Sequence, residues 1–320
     1  MYQQFMSESH YIAEGVVYAD KRPVGLLRPS TLFGKCEDRL QVCGRKGIAT
    51  IKGKDVSGFW NALIDADCIM FGNEHSLIQL RGLFGDPRYS RTLSYLATLS
   101  TTCSDLSEKF DAIRASRVLI IGCGGIGSLA AMNLAGATVG AITLVDHDSI
   151  EESNLNRQFF WSSDSVGLKK VDVLRSTVID RYPHVSVTCI ADKLGPRQVG
   201  QLSLDHDAIV ITADEPLGLA ASIIATSTKF VTYGGYFQGY WGFHASKNLR
   251  RTQSTDRTTS WSRNPYFIGP SFGPGNTEIA GAMASVCIHY LIQRDKIEHI
   301  DVTQVWLGDR ISSSGQLHSA

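Results

Sequence analysis

The sequence has no surplus of charge of either sign: 31 lysines and arginines stand against 31 aspartates and glutamates. Bulk electrostatic attraction to nucleic acid or to an anionic membrane is therefore not implied. No C-x-x-C pair occurs among the seven cysteines, at positions 36, 43, 68, 103, 123, 189 and 287. Their odd number and wide spacing argue against a disulfide framework or a cysteine-based zinc knuckle and fit a reducing cytoplasm. The opening stretch, MYQQFMSESHYIAEG, has no cationic segment followed by an apolar one, so no signal peptide is read. Charge is also missing from residues 118–145, a run that would pass a crude transmembrane filter. Six glycines in that run favour a buried strand–turn–helix–strand unit instead, and no membrane partner is expected.

What is present is an ordinary globular composition, 43% hydrophobic and 19% charged, able to bury a large core. A chain of 320 residues carries a prior of about two domains. Residues 117–170 hold most of the chemistry. Val118–Ile121 is a short apolar run of the kind that forms a fully buried parallel strand. It enters Gly122, Gly124, Gly125 and Gly127 of the segment GCGGIG, then a helix-like segment, then the strand Ala141–Val145, which ends on Asp146. Strand, glycine turn, helix, strand and acid form a nucleotide-binding fingerprint in its proper context. The helix N-terminus behind the glycines offers unpaired N–H groups to anionic oxygens, and Asp146 is placed for ribose hydroxyls. By itself this glycine loop is weak evidence and would favour NAD or FAD. Asp148, Asn154, Arg157, Gln158 and Lys170 add a polar series that hydride transfer does not need, and its cations suit a triphosphate.

In order, the motifs GCGGIG, LVDHD, SNLNRQ, VGLKKVD and ITADEP (211–216) resemble the ThiF/MoeB/HesA superfamily over roughly residues 85–295. These enzymes, related to the ubiquitin-activating enzymes, adenylate a carboxylate with ATP. The resemblance implies an α/β fold: a Rossmann-like, doubly wound, mostly parallel sheet. It implies Mg²⁺ held by Asp214, and Arg157 and Lys170 on the triphosphate. Lys169 is expected to be solvated. Residues 1–84, with short strands at Tyr11–Ala19, Leu40–Cys43 and Gly47–Lys52 and helices at 54–64 and 74–83, read either as a plain extension or as a small β-hairpin-and-helix module. MccB-type members carry a module of winged-helix character that grips the leader of a precursor peptide, and the segment Arg88-Tyr-Ser-Arg91 resembles their RYSR motif. By that resemblance the chain divides into a leader-recognition module, 1–84, and an adenylation domain, 85–320. Arg91 is then the arginine that reaches the partner's ATP site in a homodimer, and Arg88 is structural.

Two departures narrow the resemblance. Many members hold a structural zinc on two C-x-x-C pairs, which this chain lacks, so no such zinc is expected. Residues 230–275 contain no cysteine, so a thioester step is not expected either. Both point toward the MccB/PaaA type, which modifies ribosomal precursor peptides in antibiotic biosynthesis, and within it toward glutamate side-chain activation followed by dehydration and cyclisation. Adenylation of a peptide C-terminus or of a ubiquitin-like sulfur carrier is the alternative. An NAD-dependent oxidoreductase or a non-catalytic nucleotide-binding scaffold are the readings outside the class. The polar, basic stretch 246–264 is read as a loop that closes over substrate or as a bare connection. Further expected strands lie at Val185–Ile190, Ala208–Thr212, Phe230–Gly234 and Tyr240–Ala245. A helix is expected at 217–228, started by Pro216, and another at Glu278–Ile292.

Overall fold

A computed structural model describes residues 7, 9–36, 39–52, 55–237, 239–248 and 262–307. Most of the expected loop 246–264 lies outside these residues. The chain divides into two compact units, Met1–Asp111 and Ala112–Ala320.

The first unit begins with β1 (His10–Ala13), β2 (Val16–Ala19), β3 (Arg22–Leu27), β4 (Leu32–Cys36), β5 (Arg39–Gly44) and β6 (Gly47–Lys52). Then come α1 (Val56–Asp65), β7 (Ile69–Phe71), α2 (Glu74–Gly85), α3 (Ser90–Leu99) and α4 (Cys103–Arg114). The strands form a four-stranded antiparallel sheet, β1-β2-β3-β7, and a three-stranded meander, β4-β5-β6. The expected strand Tyr11–Ala19 is two strands. Glu14 and Gly15 take φ of 50° and 80°, the all-positive two-residue turn whose twist matches a right-handed hairpin. Asp20 and Lys21 repeat it at 47° and 63° before β3, and a lysine there gives no turn signal in the sequence.

Alternate residues of β5, Leu40 and Val42, point inward and meet Phe59, Ala62 and Leu63 of α1. Asp55 caps α1 by accepting from the Gly58 N–H, and Asn73 caps α2 by accepting from the Ser76 N–H. Burial of Leu93, Leu96 and Ala97 on α3, with the Arg28 guanidinium donating to the Ala97 carbonyl, ties α3 to this unit. The first compact unit therefore runs to Asp111, past the boundary at residue 84 that the resemblance implies.

The second unit is a seven-stranded sheet with helices on both faces. Its elements are β8 (Arg117–Ile121), α5 (Gly125–Gly136), β9 (Ala141–Val145), α6 (Lys170–Arg181), β10 (Ser186–Ile190), α7 (Pro196–Ser203), β11 (Ala208–Ile211), α8 (Leu219–Thr226), β12 (Phe230–Phe237), β13 (Tyr240–Lys247), α9 (Gly273–Leu291) and β14 (Ile300–Leu307). The order is β10-β9-β8-β11-β12-β13-β14; the first five strands run parallel and the last two pair antiparallel. The expected mostly parallel, doubly wound α/β sheet is thus the observed one. Its central strands are buried on both faces, which is why they read as unbroken apolar runs rather than alternating ones. Leu119, Ile121, Ile209 and Ile211 meet Val199 of α7 and Leu219 and Ile223 of α8. On the opposite face α5 and α9 pack together, and Phe230 stacks on Tyr290 of α9 with ring centroids 4.5 Å apart.

Two helix starts differ from expectation. Helix α8 begins at Leu219, because Gly218 takes φ +82° and resets the chain after Pro216. Helix α9 begins at Gly273, inside the turn-rich segment 267–276. Pro274 suits a first helical turn, and the glycines there admit close neighbours: a Cβ on Gly273 would lie 3.0 Å from the Phe159 ring. Tertiary packing outweighs the low helix propensity.

Candidate functional site

Strand order reverses beside β8, where β9 lies on one side and β11 on the other, and ligands of open α/β sheets bind at the carboxyl ends of such strands. A cleft of about 280 Å³ opens there. Gly122 leaves β8 at φ +93°, and a Cβ on it would come within 2.5 Å of the Ala213 nitrogen. A Cβ on Gly127 would collide with the Gly122 carbonyl oxygen, so this glycine lets α5 pack onto the loop. Gly124 caps α5 without a side chain, leaving the first-turn N–H groups of the helix toward the cleft.

The acids are held by the backbone. Asp146, buried at the end of β9, accepts from the Cys123 N–H at 2.6 Å and from the Asp148 N–H at 2.8 Å. Lys170, buried at the start of α6, donates to Asp148 Oδ2 at 2.8 Å. Burial alone would raise the Asp148 carboxyl, but the Lys170 hydrogen bond and charge, with His147 and Lys169 nearby, hold it below the ordinary carboxylate range. Lys169 is exposed and donates instead to the His147 carbonyl. The 3₁₀ turn Glu152–Asn154 fixes the next group: buried Asn154 accepts from the Glu151 N–H, and Arg157 Nη1 donates to the Ser153 carbonyl at 2.6 Å. Gln158 is buried and its Oε1 accepts from Trp161 Nε1 at 2.7 Å, which leaves its amide N–H₂ for the cleft.

Asp214 stands just past β11 with its side chain 82% exposed. Arg263 pairs with it, Nη2 to Oδ2 at 2.9 Å, and with Glu215, Nη1 to Oε1 at 2.9 Å. Lys193 also pairs with Glu215, and that hydrogen bond, ahead of the Arg263 charge, pulls the Glu215 carboxyl below its usual range.

Gly122, Gly124, Gly125, Asp146, Asp148, Asn154, Arg157, Gln158, Lys170 and Asp214 therefore line one cleft. Arg91 is not among them; it is exposed in the first turn of α3, in the other unit. Arg88 lies across its own neighbours, paired with Asp86 and over the Tyr89 ring. Thr212, Tyr236 and Ser271 also line the cleft, and Arg263 pairs with Asp214 at its edge, though no sequence motif marks Tyr236, Ser271 or Arg263. Thr212 Oγ1 donates to the Gly122 carbonyl at 2.8 Å and so ties β11 to the glycine loop. Tyr236 and Ser271 arrive from β12 and the approach to α9, and no local pattern announces either. Cys123 is fully buried, and burial pushes its thiol well above the ordinary range, so it is no nucleophile at neutral pH. Among the described residues, Asp146, His147 and Asp148 bring three ligand atoms within 4.8 Å of one another. No helix among them is long and apolar enough to cross a membrane.

The fold and this cleft define a doubly wound α/β protein with an anion-accepting loop and convergent cations at the sheet's switch point. Residues 99–306, more than half of the chain, match the ThiF family, and the chain belongs to that family. It is 41% identical over 104 residues to the adenylyltransferase and sulfurtransferase uba4 of Aspergillus fumigatus, covering 32% of this chain and 21% of that protein. It is 38% identical over 104 residues to the molybdopterin-synthase adenylyltransferase of Escherichia coli, covering 32% of this chain and 42% of that protein. The chain thus aligns with less than half the length of either. Its fold is similar to that of Escherichia coli MccB solved with ATP, at TM-score 0.61 and 19% identity, covering 88% of this chain and 96% of that one. It is also similar to PaaA, at TM-score 0.58 and 16% identity, covering 87% and 98%.

Proposed function

We propose that this protein activates a carboxylate by Mg·ATP-dependent adenylation. The observation that carries the reading is the convergence of Arg157, Lys170 and Asp214, from three separate elements, on the cleft of the glycine loop. The donor set suits the metal: Asp214 is an accessible carboxylate beside a phosphate-sized cleft, and Mg²⁺ favours one or two carboxylates completed by phosphate oxygens and waters. Asp214 would hold it, and the ion would neutralise charge on the phosphates. Asp146 orients the ribose. Gln158, Asn154 and the α5 N-terminus hold phosphate oxygens, while Arg157 and Lys170 stabilise charge that builds at the α-phosphate as the substrate carboxylate attacks and pyrophosphate leaves. That carboxylate is already ionised at neutral pH, so the step needs no general base. Arg91 completes the charge from a second copy in a homodimer.

The substrate in this reading is a precursor peptide whose leader docks on the N-terminal unit and whose glutamate side chains are activated, with a peptide nucleophile displacing AMP to give a dehydrated or cyclised product. The N-terminal unit, with its two antiparallel sheets, and the absence of C-x-x-C pairs support it. MccB, of similar fold, is a microcin C7 biosynthetic enzyme solved with N-formylated MccA. A second reading, adenylation of a sulfur-carrier protein, is favoured by the 104-residue likeness to the uba4 and molybdopterin-synthase enzymes.

Calorimetry with Mg·ATP and separately with NAD, on the wild type and Asp214→Ala, tests the class. The expected result is Mg·ATP binding that weakens in the variant, with pyrophosphate exchange on addition of a substrate. NAD binding indifferent to Asp214 would overturn it. Exchange driven by a glutamate-bearing peptide but not by a sulfur-carrier protein separates the two substrates.

A further inference from the structure

Four charged side chains meet at the rim of the nucleotide cleft. Lys193 Nζ lies 2.7 Å from Glu215 Oε2, Arg263 Nη1 lies 2.9 Å from Glu215 Oε1, and Arg263 Nη2 lies 2.9 Å from Asp214 Oδ2. Arg263 Nη2 also donates to the Asp214 carbonyl at 3.1 Å, and its guanidinium carbon stands 4.9 Å from the centre of the Phe267 ring. Two carboxylates and two cations thus form one neutral chain, Lys193–Glu215–Arg263–Asp214. Glu215 is its middle acid and holds a cation on each oxygen.

The sheet order shows what this chain crosses. Lys193 follows β10 and Glu215 follows β11, and β9 and β8 lie between those strands. Neighbouring strands stand about 4.8 Å apart, so the two segments leave the sheet roughly 14 Å from each other. Their side chains nevertheless meet, and they do so across the ends of β9 and β8, where Asp146 and the glycine loop stand. Lys193, Asp214 and Glu215 line the same cleft as Asp146, Arg157 and Lys170. After Lys193 and Arg263, His147 at the end of β9 also helps to hold the Glu215 carboxyl below its usual range, which sets Glu215 close to that strand end.

We propose that this chain of charges is a clasp across the mouth of the cleft, which a nucleotide must part in order to enter. Mg·ATP suits such an exchange, because it brings anion and cation together. Its phosphates can take Lys193 and Arg263 in place of the carboxylates, and Asp214 is then free for the metal. Each member exchanges one partner of opposite charge for another, so the clasp is felt chiefly in the rate of entry. Lys193 and Glu215 are each about half exposed, 47% and 48%. An ion pair of that kind is worth a factor of about two to five. The clasp rests on the adenylation reading only for the identity of the nucleotide.

The test is the association rate of Mg·ATP with the immobilised full chain, read by surface plasmon resonance for the wild type, Lys193→Met and Glu215→Ala. Both variants should bind faster, Lys193→Met by about twofold to fivefold and Glu215→Ala, which loses two pairs, by more. The two substitutions change the charge at the rim in opposite directions. Long-range attraction alone would therefore slow Lys193→Met and speed Glu215→Ala. Opposite changes of that kind, or wild-type rates in both variants, would overturn the clasp. Salt gives a second reading. Between about 50 and 300 mM NaCl the wild-type rate should fall less than that of Glu215→Ala, because salt loosens the clasp while it screens the attraction. An equal or steeper fall in the wild type would also overturn it. Binding of NAD without binding of Mg·ATP would overturn adenylation instead, and the same rates taken with NAD would still decide the clasp.

Discussion

Each unit of this protein pairs a buried cation with an aspartate, and the two pairs are used differently. In the N-terminal unit Arg28, 1% exposed, meets Asp67, itself only 12% exposed, at 2.9 Å. Arg45 closes the other carboxylate oxygen, and the Arg28 guanidinium also donates to the Ala97 carbonyl. In the second unit Lys170, 8% exposed, meets Asp148 at 2.8 Å, but Asp148 is 49% exposed and faces the cleft. The chemistry is the same and the accessibility is not. A closed pair fixes a fold; a pair open on one side can exchange its partner for a ligand's phosphate.

The largest effect expected from breaking that contrast is on the closed pair. Asp67→Ala leaves a buried guanidinium uncompensated and should cost about 3–5 kcal/mol, read as a lowered urea midpoint for the N-terminal unit with Mg·ATP affinity retained. Asp67 also sits at φ +54°, so Asp67→Asn, which tolerates that conformation and still accepts a hydrogen bond, should cost less. Equal losses in the two variants would mean that charge pairing is not what Asp67 supplies.

The open pair should answer in rate rather than stability. Lys170→Ala is expected to lose roughly 10²–10³ in pyrophosphate exchange while unfolding near the wild-type midpoint. Lys169→Ala, one residue away and solvated, should lose almost none, and comparable losses in both would remove the distinction made by burial.

A smaller effect concerns Arg263. Its ion pair occupies the carboxylate assigned to Mg²⁺. Arg263→Ala should therefore tighten Mg²⁺-dependent ATP binding, by about twofold to fivefold for a surface ion pair. Calorimetry at varied Mg²⁺ decides it, and weaker binding in the variant would make Arg263 a phosphate ligand instead.

The smallest effect is a pH slope within the second unit. Burial pushes His206 below the ordinary histidine range; the Leu202 carbonyl opposes this, Arg117 adds to it, and Asp205 and Asp207 oppose it. The folded state then binds its proton later than the unfolded one, so the contribution is complete above the unfolded pKa of about 6.5 and is lost as pH falls toward the folded value. Urea midpoints between pH 7.5 and 5 should fall in the wild type and less so in His206→Gln. A midpoint that rises on acidification would contradict the sign.

Legibility followed locality. The parallel strands around Gly122 were readable because burial on both faces leaves unbroken apolar runs, and the glycine turn because its close approaches forbid a Cβ. Helices α3, α4 and α7 carry no sequence signal of their own, nor do β3, β4 and β7, and among the described residues β7 pairs only with β3, far back along the chain. The lysine at the β2–β3 turn carried no glycine to mark it. In the cleft, Asp146, Asp148 and Lys170 share one supersecondary unit and could be read together. Tyr236, Ser271 and Arg263 come from distant segments and could not.

By itself the sequence determined the nucleotide-type strand–turn–helix, the order of the family motifs and the balance of charge, because these are set within short stretches by backbone sterics and composition. The tertiary structure alone decided that Lys170 pairs with Asp148, that Asp214 is held by Arg263, and that Tyr236 and Ser271 reach the cleft. Each of those depends on which distant surfaces meet, and the pairing of strands across the whole sheet, not any local pattern, brings them together.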